Sequence, residues 1–197
     1  FTEENVSLEE NIDYKQSIKF EILRAEFAFS EFYRVSSVRL ANPEWQPDEK
    51  IKLHHFDAYA RWCGHMYEAF KAFLIINPEV EVGGNTRDVS KIDAEMQKET
   101  TNIISSIDFN EGEIQPVLEA SFSTSLRQIR NKCSFHCTTE RSAVSLLQNF
   151  LNQHHNVLLV IYMKFRNTPE YIGLEGIDTF GEIEKFFDIS TLVGSES

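Results

Sequence analysis

Apolar side chains recur along this chain at the three- and four-residue steps of an α-helix, over nearly its whole length. Ile18, Ile22, Ala25, Phe29, Phe32 and Ser36 trace one stripe on a first helix over 8–39, which Pro43 and Pro47 then end. Phe56, Tyr59, Cys63, Met66, Phe70 and Phe73 repeat the pattern on a second helix that stops before Pro78. Gly83-Gly84-Asn85 marks a loop, and Ile92, Met96, Ile103 and Ile107 predict a third helix over 89–107. A short turn over 108–113, containing Gly112, leads to Pro116, a residue suited to the first turn of a fourth helix. Leu118, Phe122, Leu126, Ile129 and Cys133 form its stripe. Thr138 or Thr139 is the expected N-cap of a fifth helix, whose apolar face is Val144, Leu147, Leu151, His154, Leu158, Ile161 and Phe165.

Segments of this length joined by short turns predict an all-α fold, an up-and-down helical bundle of about five helices over 1–167. The stretch 168–197 differs: Gly173, Gly176 and Gly181 precede an apolar patch around Ile183, Phe186 and Phe187, so we expect a short C-terminal extension packing on the bundle. With 197 residues, 42 % of them hydrophobic, the chain suits one domain with a well-filled core. Eight Gly and five Pro are too few for the many turns of a β-sandwich. Three Cys, an odd number, argue against a disulfide framework and for a reducing, cytoplasmic setting. The longest apolar run, Val157 to Met163, is seven residues, far short of a membrane span, and no signal peptide is visible. The sequence opens at Phe1 rather than Met, so the natural N-terminus is expected upstream.

The formal charge of −12 works against a broad nucleic-acid track, which needs a basic face. Charge is local, however. Between Ser121 and Arg141 stand Arg127, Arg130, Lys132 and Arg141 against Glu140 alone, while acidic residues gather at Glu3, Glu4, Glu9 and Glu10 and in the tail. A basic island on an acidic body suits a compact anionic site.

Within that island lies Arg130-Asn131-Lys132-Cys133-Ser134-Phe135-His136. The Arg carries a permanent fork of donors matched to phosphate oxygens. The Asn amide can orient a hydroxyl or a phosphate oxygen. The His exchanges protons near neutrality. Together they can hold and cleave a phosphodiester with no metal and no cofactor. On one unbroken helix, residues six apart lie roughly 240° around from each other. A break between Arg130 and His136 is therefore needed for them to share a cleft, and Ser134, Cys137, Thr138 and Thr139 favour one.

The stretch from Leu126 to His136 resembles the HEPN superfamily (higher eukaryote and prokaryote nucleotide-binding), small helical bundles whose signature is an Arg, then Asn, Asp or His, four residues, and a His. The resemblance covers the bundle, and Asn131 occupies the second place of the signature. It implies a metal-independent endoribonuclease, often a toxin–antitoxin or phage-defence effector, whose site forms where two motifs meet across a homodimer. The 2′-hydroxyl of RNA would attack its own phosphate and leave a cyclic phosphate. Arg130 would stabilise the phosphorane, His136 would serve as base or acid, and Asn131 would hold the phosphate or the His. Arg127, Lys132 and Arg141 are the further candidates for holding substrate. HEPN proteins controlled by a nucleotidyltransferase antitoxin commonly carry a Tyr two positions after the His; here that position is Thr138, which disfavours that form of control by a regulatory partner. A polar residue from an earlier helix often lines the cleft, for which Glu68 or Arg61 is available.

Other readings of the same residues have different consequences. Cys133, His136 and Cys137, with Cys63 or His65, could be a zinc site, but no second matched ligand pair accompanies them. Cys63 and Cys133 lie on apolar stripes, where a thiol is ordinarily a small hydrophobe. His54-His55 and His154-His155 are adjacent pairs whose members face different ways on a helix. The aromatic stripes are core. A HEPN-like bundle that binds or scaffolds without catalysis, or an acidic inhibitor or immunity-type protein with a basic partner, are the functional alternatives.

Overall fold

The structure, a computed structural model, describes residues 8–77, 88–110, 115–134, 144–168, 170 and 173–174. The helices are α1 (Leu8–Ala41), α2 (Glu49–Ile76), α3 (Val89–Ser105), α4 (Phe122–Ile129) and α5 (Val144–Asn167), with a π-helical segment, Arg130–Ser134, continuing α4. Among the described residues there is no strand, and the fold is an all-α helical bundle. Gly83-Gly84-Asn85, Thr138, Thr139 and nearly all of 168–197 lie outside the described residues.

Local chemistry sets the starts of α2 and α3. Asp48 caps α2 by accepting from the Ile51 amide at 2.8 Å, and Asp88 caps α3 by accepting from Ser90 and Lys91. The fourth helix starts later than its apolar spacing suggests. Pro116 and Leu118 lie on non-helical chain, and α4 begins at Phe122. The reason is tertiary: the Gln97 side chain on α3 donates to the Glu119 carbonyl at 2.9 Å and accepts from the Ser123 amide at 3.3 Å. One amide thus satisfies both the approach to α4 and one of its otherwise orphaned first-turn donors. α3 likewise ends at Ser105, with Ile107 beyond it, because Ser106 closes the last turn through its amide and hydroxyl.

α1 and α2 form an antiparallel hairpin, since Glu21 meets His65, Glu31 meets Arg61, and Ser36 meets His55. α5 runs antiparallel to α1, with Arg166 on Glu26 and Tyr162 on Phe29, and parallel to α2, with His155 on Tyr59 and Phe165 on Phe70. α2 is the central helix. Its buried residues, including Trp62, Cys63, Met66, Phe70 and Leu74, occupy more than one face, whereas α1 buries a single stripe of Ile18, Ile22, Ala25, Ala28, Phe32 and Val35. Phe29, Phe32, Tyr59, Trp62 and Tyr162 pack with centroids 4.7–6.5 Å apart, the range in which edge and tilted contacts add to burial. On α5, Leu147, His154, Leu158, Ile161 and Phe165 are buried as their spacing predicts, while Val144 at the helix start is exposed. Leu174 joins the same core, and Gly173 beside it adopts φ +66°, a left-handed conformation that suits glycine.

Burial lowers the pKa of two histidines packed in or against this core. His154 is 1 % exposed against Phe122 and Phe150, and burial lowers its pKa although Glu119 opposes the effect. Burial also lowers the pKa of His155, whose Nδ1 lies 3.3 Å from the Tyr59 hydroxyl.

Candidate functional site

The inner face of α4, Phe122, Leu126 and Ile129, is buried, and Cys133 extends that face through the π-helical segment. Anchoring by these side chains places Arg127 and Arg130 on a neighbouring, partly open face. Arg130 Nε donates to Glu68 Oε1 on α2 at 2.5 Å, and its Nη1 donates to the side-chain oxygen Oδ1 of Asn131 at 2.9 Å. The guanidinium is therefore held from two sides, while 29 % of the side chain is still exposed. Of the two polar residues expected from an earlier helix, Glu68 reaches the motif. Arg61 instead pairs with Glu31 of α1 at 2.7 Å.

The π-helical winding begins at Arg130 itself. Its wider turn slows the rotation of side chains about the axis, which changes the direction of the residues after Arg130 from that of a regular α-helix. Asn131 and Lys132 on this segment are half-buried. His136 and Arg141 lie outside the described residues.

Arg127 stands one turn before Arg130 and has a carboxylate of its own. Its Nε donates to Asp93 Oδ2 on α3 at 2.9 Å, and the Thr124 hydroxyl approaches the same oxygen at 3.5 Å. Asp93 is 8 % exposed, and its Oδ1 finds no hydrogen-bond partner among the described residues. Tyr67 is buried next to this double pair. Burial, reinforced by Asp93 and Glu68 and opposed by Arg127 and Arg130, pushes its phenol up to about 12, so it remains protonated. A ladder of Asp93, Arg127, Arg130 and Glu68 thus runs across three helices with a neutral Tyr beside it.

Glu68 also lines a groove of about 340 Å³, together with Tyr14, Ser17, Glu21 and Lys71. Glu21 there accepts from His65 Nδ1 at 2.7 Å and pairs with Arg24 at 2.6 Å. Burial alone would raise the Glu21 pKa, but these two partners outweigh it and hold the carboxyl ionised.

Asp93 and Tyr67 were not among the residues singled out from the sequence. A signal existed for Asp93: it shares the stripe of Met96, Thr100 and Ile103, and a carboxylate on an apolar stripe asks for a buried cation. Tyr67 sits among aromatic core residues and gave none. For zinc, no group of three or more His, Cys, Asp or Glu among the described residues is placed to hold a metal. Cys63 and Cys133 are buried, and burial pushes both thiols up, away from the thiolate a metal needs. Cys137 lies outside the described residues.

No helix among the described residues is long and apolar enough to cross a membrane. No family model, no curated protein and no solved structure matches this chain.

Proposed function

We propose that this chain is a metal-independent endoribonuclease of HEPN type, acting as a cytoplasmic homodimer in a toxin–antitoxin or phage-defence setting, under a regulatory partner. The observation that carries the reading is the posture of Arg130, fixed by Glu68 and Asn131 and still reachable from solvent. A preorganised guanidinium stabilises charge that develops on a phosphorane without reorganising during the reaction. In the cleavage, His136 accepts the proton of the ribose 2′-hydroxyl, and the 2′-oxygen bonds to phosphorus. The phosphorus–O5′ bond breaks, and the departing oxygen takes a proton from an imidazolium. The products are a 2′,3′-cyclic phosphate and a free 5′-hydroxyl. The nucleophile belongs to the RNA, so positioning and charge neutralisation are what the protein must supply.

The test is incubation of purified protein with total RNA in EDTA. Cleavage leaving cyclic phosphate ends, abolished by Arg130→Ala and by His136→Ala, is the expected result. Equal activity in the wild type and both variants would rule the assignment out. A second reading, a non-catalytic HEPN-like binding subunit, draws on the carboxylates already paired with Arg127 and Arg130 and on the charge of −12. Salt-dependent RNA affinity without cleavage selects it.

A further inference from the structure

Arg127 and Arg130 are three residues apart, and the αR backbone of Arg130, φ −53°, ψ −47°, keeps the α-helical direction up to where the π-helical segment starts. Side chains at that spacing are neighbours on one face, about 5–6 Å apart at Cβ. Each is pinned in the same way, Nε to a carboxylate on another helix, and each keeps 29 % of its side chain exposed. A guanidinium carries five N–H donors; the carboxylate takes Nε in each, and at Arg130 Asn131 takes a donor of Nη1 as well. The two pinning carboxylates are themselves braced, Asp93 by burial and by Thr124, Glu68 by its place on the central helix. Two oriented cations at this repeat are more than one scissile phosphate requires. Two guanidinium groups based side by side on one face suit two neighbouring anions of one strand.

We infer that the Arg127–Arg130 pair reads two consecutive phosphates of a single-stranded RNA, Arg130 at the linkage that is cut and Arg127 at an adjoining one. This rests on the ribonuclease reading and adds to it the substrate class: an oligonucleotide with a charged linkage next to the scissile one, in preference to a dinucleotide or a cyclic nucleotide. Asp93 is then the residue that positions Arg127, as Glu68 positions Arg130. Arg127 makes no bond to the reacting atoms. Its loss is felt as weaker capture of substrate, and Arg130 remains essential for the chemistry.

The experiment uses oligodeoxynucleotides carrying a single ribonucleotide, so that one linkage can be cut, with either a phosphate or an uncharged methylphosphonate at the linkage on its 5′ or its 3′ side. Cleavage by the wild type is compared with that by Arg127→Gln and by Arg127→Gln/Asp93→Asn, the second replacing the ion pair with two neutral amides so that no buried charge is left alone. In the wild type, neutralising one of the two adjoining linkages lowers kcat/KM by roughly ten- to a hundredfold, as for a lost charged hydrogen bond. Both variants show that same loss on the fully charged substrate and almost none on further neutralisation. Losses that multiply, or a neutral linkage tolerated by the wild type on both sides, overturn the inference and leave the ribonuclease reading standing. A wild type that cuts no ribonucleotide linkage, charged or neutral, defeats both.

Discussion

Arg130 and Glu68 stand 62 positions apart in the chain, and their Nε and Oε1 atoms are 2.5 Å apart. That contact ties the basic island of the C-terminal half to the central helix. It also sets the direction of the one guanidinium on which the proposed chemistry depends.

Arg130→Lys is expected to lose at least a hundredfold in RNA cleavage while its thermal stability stays close to that of the wild type. An ammonium keeps the charge and lacks the planar fork that meets Glu68, Asn131 and a phosphate together. The Glu68 contact is partly exposed, so removing it costs only about 1 kcal/mol or less. Melting curves and a cleavage assay on the same preparation separate the two effects, and Lys retaining near-normal activity would count against a role for the fork.

Arg127→Ala is expected to destabilise the protein by about 2 kcal/mol, clearly more than Arg130→Ala, because it leaves a buried carboxylate without its cation. The side chain of Asp93 is 11 % exposed, against 27 % for that of Glu68. Urea unfolding of the two variants side by side is the measurement. Asp93→Asn introduced into Arg127→Ala recovers much of the loss.

Gln97→Ala removes both hydrogen bonds that define the start of α4, to Glu119 and from Ser123. About 1 kcal/mol of stability is expected to go with them, as for loss of a helix cap. Because α4 carries Arg127 and Arg130, hydrogen exchange should quicken at Ser123 to Leu126 before it does in α2. Uniform protection across both helices would refute this coupling.

Stability should fall as pH drops from 7 towards 5. The folded-state pKa values of His55, His154 and His155 are lowered, chiefly by burial and at His55 also by neighbouring His54. A base with a depressed folded pKa contributes fully above its unfolded value, near 6.5, and loses that contribution as pH falls through and below it. His154→Phe, at a site already lined by Phe122 and Phe150, should flatten the decline. Denaturation midpoints measured across that range for both proteins decide the matter.

Helical periodicity in the sequence was enough to determine that the protein is an all-α bundle, where α1, α2, α3 and α5 run, and which faces of them are buried, because burial of an apolar stripe is a demand each segment makes by itself. Arg130 and Asn131 stood out by side-chain chemistry instead of by period, and their mutual contact is local. The start of α4 and the partners of Arg127 and Arg130 were decided only by the tertiary structure. Gln97, Asp93 and Glu68 reach those positions from α3 and α2; a carboxylate on an apolar stripe asks for a cation, but which distant side chain answers it leaves no period in the chain. Pro116 looked like a helix start because proline favours that place locally, yet a glutamine amide on another helix offered the backbone better partners six residues later.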